Sequence, residues 1–283
     1  MGVALSPPGP AWPAPAKLNL FLHVVGRRAD GYHLLQTVFR LIDRSDMLYF
    51  DVRRDGDIRL HTQLAGVPQE RDLTWRAATA LRRHTGCQLG ADIWLDKRLP
   101  MGGGLGGGSS DAATVLLALN RLWGLGLTRA ELQALGLTLG ADVPFFLFGR
   151  NAFAEGVGER LQPIDLPPAW YLVLTPPVQV CTAEVFAAPS LTRNSPEIKM
   201  SDFPAGYGRN DLEPVVVERH PVVGEYLRWL RRHAEGRLTG SGGCVFAPFA
   251  DRAAAEAVWS CRPAGWDGFI AEGLDRHPLF EAV

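Results

Sequence analysis

The chain has 283 residues, 47% hydrophobic and 21% charged, an ordinary globular composition with room for one large domain or two closely packed ones. Its formal net charge of -1 argues against a nucleic-acid partner, because such binders carry a basic surplus. Its four cysteines are far apart and form no CxxC pair, which excludes zinc-ligand spacing and a secreted disulfide framework. With neither a signal-peptide pattern nor an apolar run of membrane-span length, the expected setting is the cytoplasm.

Residues 1–14, rich in proline and alanine, are expected to be an extended or frayed tail. AKLNLFLHVVG (16–26) then alternates, setting Leu18, Leu20, Leu22 and Val24 against Lys17, Asn19, Phe21 and His23, the period of a strand. RRADGYHLLQTVFRLI predicts a turn and a second strand. DMLYFDVRRDGDIRLHT predicts a strand, an Asp-Gly turn and another strand. DLTWRAATALRRHTG predicts a helix stopped by Gly86, and ADIWLDKRL a strand. In TRAELQALGLTLG, Thr128 and Glu131 have the spacing of a capping box. NAFAEGVGERLQPI predicts a strand and turn, and WYLVLTPP opens a second unit. That unit continues with a helix (TAEVFAAP), a loop rich in Pro, Ser and Gly (189–209), and a helix from about Asp211. A second glycine turn (LTGSGGCVFAPF), a helix (DRAAAEAVWS) and a closing strand (GFIAEGL) complete it. Strands and helices mix without regular βαβ alternation, so the expected class is α+β in two lobes, 15–165 and 166–283.

The densest signal is MGGGLGGGSSDAATVLLAL (101–119), in which Gly102 to Gly108 are interrupted only by Leu105. Each glycine costs roughly 0.5–1 kcal/mol of backbone order relative to alanine, so such a cluster marks positive φ angles or a ligand lying on the backbone. The apolar run that follows predicts a helix, with Ser109 or Ser110 as its N-cap and Asp111 in its first turn. A glycine loop opening onto a helix N-terminus aims free N–H groups at one point, an anion site that most often takes phosphate. The sequence excludes the common phosphate motifs. GGSS has no lysine for a P-loop, no acidic residue closes a strand about twenty residues after the glycines, and neither HRD nor DFG of protein kinases occurs.

PMGGGLGGGSSDAA instead resembles the phosphate-binding motif of the GHMP kinase superfamily, and PAKLNLFLHVVGRRADGYH (15–33) and LTGSGGCVFA (238–247) resemble its other two motifs. With LGADVPFF (139–146) and AEGVGE (154–159), the wording is similar to the branch that phosphorylates the 2-hydroxyl of 4-diphosphocytidyl-2-C-methyl-D-erythritol in the non-mevalonate isoprenoid pathway. The similarity runs from about residue 15 to the C-terminus. It implies an N-terminal domain like ribosomal protein S5 domain 2, a ferredoxin-like C-terminal domain and an active site in the cleft between them. ATP and Mg2+ are the implied cofactors. The implied partner is a small molecule carrying cytidine diphosphate, with neither nucleic acid nor membrane, bound by a monomer or weak homodimer.

Residue by residue, the resemblance assigns the nucleotide to Lys97, Pro100, Met101, Gly102, Gly103, Gly104, Leu105, Gly106, Gly107, Gly108, Ser109 and Ser110. Either serine is also available to phosphate or metal, and the metal ligand stays open. Asp142, in GADVP, corresponds to the catalytic aspartate that accepts the hydroxyl proton. Lys17, a charge in an otherwise apolar strand, is expected to face it, and Asn19 lies on the same strand face, free to bond substrate hydroxyls. Tyr32 and Phe186 match positions that sandwich a cytosine, His33 the position that bonds its edge, and Thr182 falls near the diphosphate. Gly240, Ser241, Gly242 and Gly243 pack under the phosphate loop or border the acceptor. Lys97 and Asp72 are candidates for the adenine pocket, although relatives carry Asn where Asp72 aligns. Three rival readings remain: a GHMP kinase for mevalonate, homoserine or a sugar, a nucleotide-binding regulator without turnover, and a nicotinamide-dependent oxidoreductase.

Overall fold

A computed structural model describes residues 9–205 and 209–282, so the first eight residues of the expected tail lie outside it. Strand β1 (Trp12–Arg27) begins earlier than alternation suggested, and residues 12–14 belong to it rather than to a frayed tail. It pairs antiparallel with β2 (His33–Arg53), which replaces the two strands expected there with one. Residues 43–45, left between those two strands, stay in β2: Ser45 pairs with Pro15 beside a bulge, and the adjoining Asp46 pairs with Ala14 and is buried with partners of its own.

The remaining elements of the N-terminal lobe are β3 (Ile58–Leu60), α1 (Leu73–Thr85), β4 (Gly90–Asp96), α2 (Gly107–Leu122), α3 (Arg129–Leu137), α4 (Val143–Phe148), β5 (Ala152–Glu155) and β6 (Arg160–Pro163). Gly86 ends α1 at a φ of 69°, as predicted, and Thr128 and Glu131 form the full capping box. Helix α2 is buried from Ser110 to Asn120, apolar on nearly every side, and forms the axis of this lobe's core with Leu41, Leu81, Ile93, Phe145 and Phe146.

The C-terminal lobe runs β7 (Trp170–Leu174), α5 (Thr182–Ala187), α6 (Glu213–Arg219), α7 (Pro221–Leu230), β8 (Arg237–Leu238), β9 (Val245–Phe249), α8 (Arg252–Ser260) and β10 (Gly268–Leu274). The helix expected from Asp211 is two helices, because Pro221 cannot continue the first. The antiparallel strand order β10-β7-β9-β8 is that of a ferredoxin-like unit. Its own core holds Leu172, Val216, Leu227, Leu230 and Val245. Gly273 and Leu274 pair with Ile42 and Leu41, so β10 joins both lobes into one ten-stranded sheet. Such a seam fixes the relative orientation of the two walls of the cleft. None of the described helices is long and apolar enough to cross a membrane.

Past β10 the chain packs back on the N-terminal lobe, where the His277 N–H donates to Gly149 O (2.9 Å) and its Nδ1 accepts from Leu279 N (3.0 Å). Burial, with Arg129 adding to it, pushes this imidazole from 6.5 to about 3. The unfolded chain therefore binds a proton near pH 6.5 that the folded one refuses, so this contribution is complete above about 6.5 and lost progressively as pH falls toward 3. Urea unfolding between pH 6.5 and 4.5 should show a stability slope shallower in His277→Asn than in wild type by up to about 1.4 kcal/mol per pH unit. Equal slopes would show that His277 does not set it.

Candidate active site

Between the lobes lies a cleft of about 960 Å³. Lys17, Asn19, Tyr32, His33, Asp142, Thr182, Phe186, Gly240 and Ser241 reach it from separate elements, as do Lys97, Asp72 and the loop from Pro100 to Ser109. Three predicted residues do not line it. Ser110 is fully buried with its Oγ unpartnered, and Gly242 and Gly243 lie behind the loop.

The loop takes its shape from its glycines. Gly102, Gly104 and Gly106 have φ angles of 71°, 80° and 71°, a region that costs glycine little and strains any other residue. The carbonyls of Gly102, Gly103, Gly104 and Leu105 accept from Gly243 N (3.2 Å), Cys244 N (3.1 Å), Thr239 Oγ1 (3.4 Å) and Lys17 N (3.0 Å). Four successive acceptors are thus held by β1 and the second glycine turn. Past them, the N–H groups of Gly107, Gly108 and Ser109 open α2 and have no carbonyl within the helix to bond. That is the electropositive cradle the sequence predicted. The N-cap is different: Gly106 holds it through its positive φ, with no side-chain cap, and Ser109 and Ser110 are inside the helix. Asp111 correspondingly falls beyond the first turn.

Asp111 has another partner. Lys97 Nζ donates to Asp111 Oδ2 (2.7 Å) and Asp46 Oδ2 (2.5 Å), while Asp46 Oδ1 also accepts from Arg98 N (2.6 Å) and Leu99 N (2.7 Å). Lys97 therefore lies beneath the start of α2, tied to two buried carboxylates, instead of standing free for an adenine. Desolvation works against its charge, but the two carboxylates outweigh it and raise its pKa. Desolvation raises Asp111 to about 8 against the pull of Lys97. Asp72 lines the cleft and serves as the N-cap of α1, accepting from Thr74 N (2.8 Å). Below the loop, burial pushes the Cys244 thiol up to about 12, which leaves it inert packing.

Asp142 occupies the N-cap position of α4 and makes no capping bond. Its Oδ2 is 3.5 Å from Lys17 Nζ, with the lysine side chain 4% exposed and the aspartate 34%. The cation is buried and its partner opens to the cleft, the arrangement expected of an acid that meets a substrate. Asn19 lines the cleft and also has partners within the protein: its Oδ1 accepts from Lys17 Nζ and its Nδ2 donates to Thr37 Oγ1 (2.9 Å), so its amide holds the lysine. Thr37, Thr239 and Asp46 escaped the sequence reading because each acts on another residue's atoms and none belongs to a motif of its own.

At the far end, the His33 and Phe186 rings are 5.0 Å apart at 30°, and Tyr32 is 63% exposed on the same wall. Thr182 Oγ1 and Ser241 Oγ are within hydrogen-bonding distance (2.7 Å), linking α5 to the second glycine turn.

The described residues contain no group of three or more His, Cys, Asp or Glu able to hold a metal ion. The oxygen donors beside the loop are the Ser109 hydroxyl, near Gly140, and the Asp142 carboxylate. Such a set fits Mg2+ carried in on nucleotide phosphates, since this ion keeps several waters and needs only one or two protein oxygens.

Residues 72–150 match the family model described as GHMP kinases N terminal domain, and residues 194–267 the one described as GHMP kinases C terminal. The fold is that of a small-molecule kinase of this class, and the glycine loop lies within the matched N-terminal domain. A protein of Thiobacillus denitrificans is 63% identical over 96% of this chain and 98% of its own length, and one of Nitrosospira multiformis 61% identical over 95% and 92%. Both are named 4-diphosphocytidyl-2-C-methyl-D-erythritol kinase, and the chain belongs to that family. A crystal structure of 4-(cytidine 5'-diphospho)-2C-methyl-D-erythritol kinase superposes with a TM-score of 0.76 at 35% identity, covering 93% of this chain and 98% of that one. Mevalonate kinase of Methanococcus jannaschii, at 15% identity and a TM-score of 0.68 over 94% and 99%, shares the fold.

A Cβ on Gly242 would lie 1.9 Å from Gly104 N and 2.1 Å from Gly103 C. Gly242→Ala must therefore displace the phosphate loop, and we expect a lowered Tm and ATP affinity reduced more than tenfold by isothermal titration. ATP binding at wild-type strength would dissociate the loop from nucleotide binding.

Proposed function

We propose that this chain transfers the γ-phosphoryl group of ATP to the 2-hydroxyl of 4-diphosphocytidyl-2-C-methyl-D-erythritol, giving the 2-phosphate and ADP in non-mevalonate isoprenoid precursor biosynthesis. The observation that carries this reading is the Lys17–Asp142 pair, which lines the same cleft as the amide cradle and the His33–Phe186 wall. Relatives with that activity in their name, at about 60% identity over nearly the whole chain, support it.

In this reading the N–H groups of Gly107 to Ser109 and the dipole of α2 hold the phosphates and absorb charge as the γ-phosphoryl group leaves ADP. Asp142 orients the hydroxyl and takes its proton. In a loose transition state that proton departs late, so a carboxylate of modest basicity suffices once it is well placed. Lys17 offsets the charge gathered on Asp142 and on the attacking oxygen. Mg2+, where bound, neutralises the phosphate oxygens, with Ser109 and Asp142 as the protein oxygens nearest to hand. The diphosphocytidyl end reaches toward Thr182, Tyr32, His33 and Phe186, where base–aromatic stacking is worth roughly 1–3 kcal/mol. A reducing cytoplasmic setting suits the four free thiols.

Asp142→Asn should lower turnover by about 10²–10⁴-fold while leaving ATP and substrate affinities within a few fold. ADP release coupled to an NADH readout checks this, and the same assay with mevalonate and homoserine separates the acceptors. Turnover on mevalonate or homoserine alone would reassign the substrate, and full activity of the variant would remove Asp142 from the chemistry.

A further inference from the structure

Arg193 lies in the 189–209 loop, outside the residues that line the cleft. Its guanidinium makes four hydrogen bonds. Nη2 donates to Phe186 O (3.1 Å) and Ala188 O (2.7 Å), Nη1 to Leu191 O (3.0 Å), and Nε to His33 Nε2 (3.1 Å). The first three tie it to the end of α5, which carries Phe186. The fourth reaches His33 at the start of β2, whose ring is beside that of Phe186. One side chain thus fastens α5 and the start of β2, which belong to different lobes, into a single wall of the cleft.

The last bond also fixes the chemistry of His33. A guanidinium has only donors, so Nε2 of His33 must present a lone pair. A neutral imidazole with an accepting Nε2 carries its proton on Nδ1, and no partner takes Nδ1 among the described residues. We propose that Arg193 is a positioning residue that holds His33 in the neutral Nδ1–H form and so makes it a hydrogen-bond donor toward the bound ligand. That this ligand edge is a nucleobase rests on the function proposed above. A donor suits cytosine, whose N3 and O2 accept, and is opposed by the N3–H of uracil. The lock therefore sorts cytidine from uridine conjugates.

The charges around His33 favour the same state. Arg193 from the loop and Arg27 from the end of β1 face it, and the nearby carboxylate of Asp30 is paired with Arg28 (2.7 Å). Burial first, then these two cations, lowers the imidazole below its ordinary value.

Long-range ¹H–¹⁵N spectra of uniformly labelled wild-type protein, with His33 assigned by its loss in His33→Gln, read the tautomer without any substrate. We expect a protonated Nδ1 and a bare Nε2. In Arg193→Met the proton should shift toward Nε2, the form that an unconstrained histidine side chain prefers, and the titration midpoint should rise. KM for the diphosphocytidyl substrate should increase about tenfold, with kcat and KM for ATP within about twofold. Arg193→Lys, still a donor with no lone pair to offer, should restore most of the Nδ1–H population. A wild-type His33 protonated on Nε2, or a tautomer unchanged in Arg193→Met, overturns the proposal. A shifted tautomer with unchanged substrate KM upholds the lock and removes the nucleobase from this wall.

Discussion

The cleft depends on the closeness of two backbone segments that are far apart in sequence. Gly242 lies so near Gly103 and Gly104 that no side chain fits between them, and the neighbouring amides of Gly243 and Cys244 bond the carbonyls of Gly102 and Gly103. A peptide unit that turns its carbonyl to a fixed donor has its orientation set. With four carbonyls in a row so held, the chain enters α2 in a single conformation and the free amides at its start converge. The convergence of these amides is a property of main-chain geometry, and under the proposed function it presents a site for phosphate that is preorganised before any ligand arrives. The Lys17 amide supplies one of those four bonds, so the strand that carries the cation at Asp142 also helps set the loop.

The charges beneath the loop obey the same requirement. A carboxylate under a cradle meant for phosphate would cancel part of its field. Asp46 and Asp111 are both buried there, with Lys97 as the cation between them. Asp46 has Lys97 and two backbone amides to stabilise its charge, whereas Asp111 has only the lysine and leaves Oδ1 without a partner among the described residues. Desolvation raises the pKa of Asp111, and Lys97 between the two carboxyl groups offsets their charge, so the amides above meet a weaker opposing field than two unpaired carboxylates would create.

Features governed by local chemistry were legible in the sequence. Alternation gave β1, Gly86 the end of α1, the Thr128–Glu131 spacing a capping box, and the glycine run a loop that opens onto a helix N-terminus. Features decided by a distant partner were not. Residues 43–45 read as a break between two strands until Lys97 and the amides of Arg98 and Leu99 supply a reason to bury the adjoining Asp46 in one continuous strand. Ser109 and Ser110 are better capping residues than glycine by local preference, but the loop requires a positive φ at Gly106, and that moves the helix start upstream. Asn19 was placed on the correct strand face, and the identity of its partners, Lys17 and Thr37, depended on packing. Arg193 was hidden in a stretch that read as loop filler, because its meaning comes from a histidine on the other lobe.

The two ends of the cleft therefore differ in how they can diverge. The end proposed for phosphate is built from backbone atoms, so its sequence is restricted to glycine wherever φ is positive or another chain segment approaches. Mevalonate kinase of Methanococcus jannaschii keeps this fold at 15% identity. The end proposed for the acceptor is lined by the side chains of Tyr32, His33 and Phe186, set on the turn before β2, on β2 and on α5, where the lobes meet. A change of acceptor then needs a few side-chain replacements on those elements and leaves the cradle, the Lys17–Asp142 pair and the β10 seam intact. Chemistry and acceptor choice are thus physically separable in this fold, and the link between them is the orientation of the two lobes, which the pairing of Gly273 and Leu274 with β2 holds.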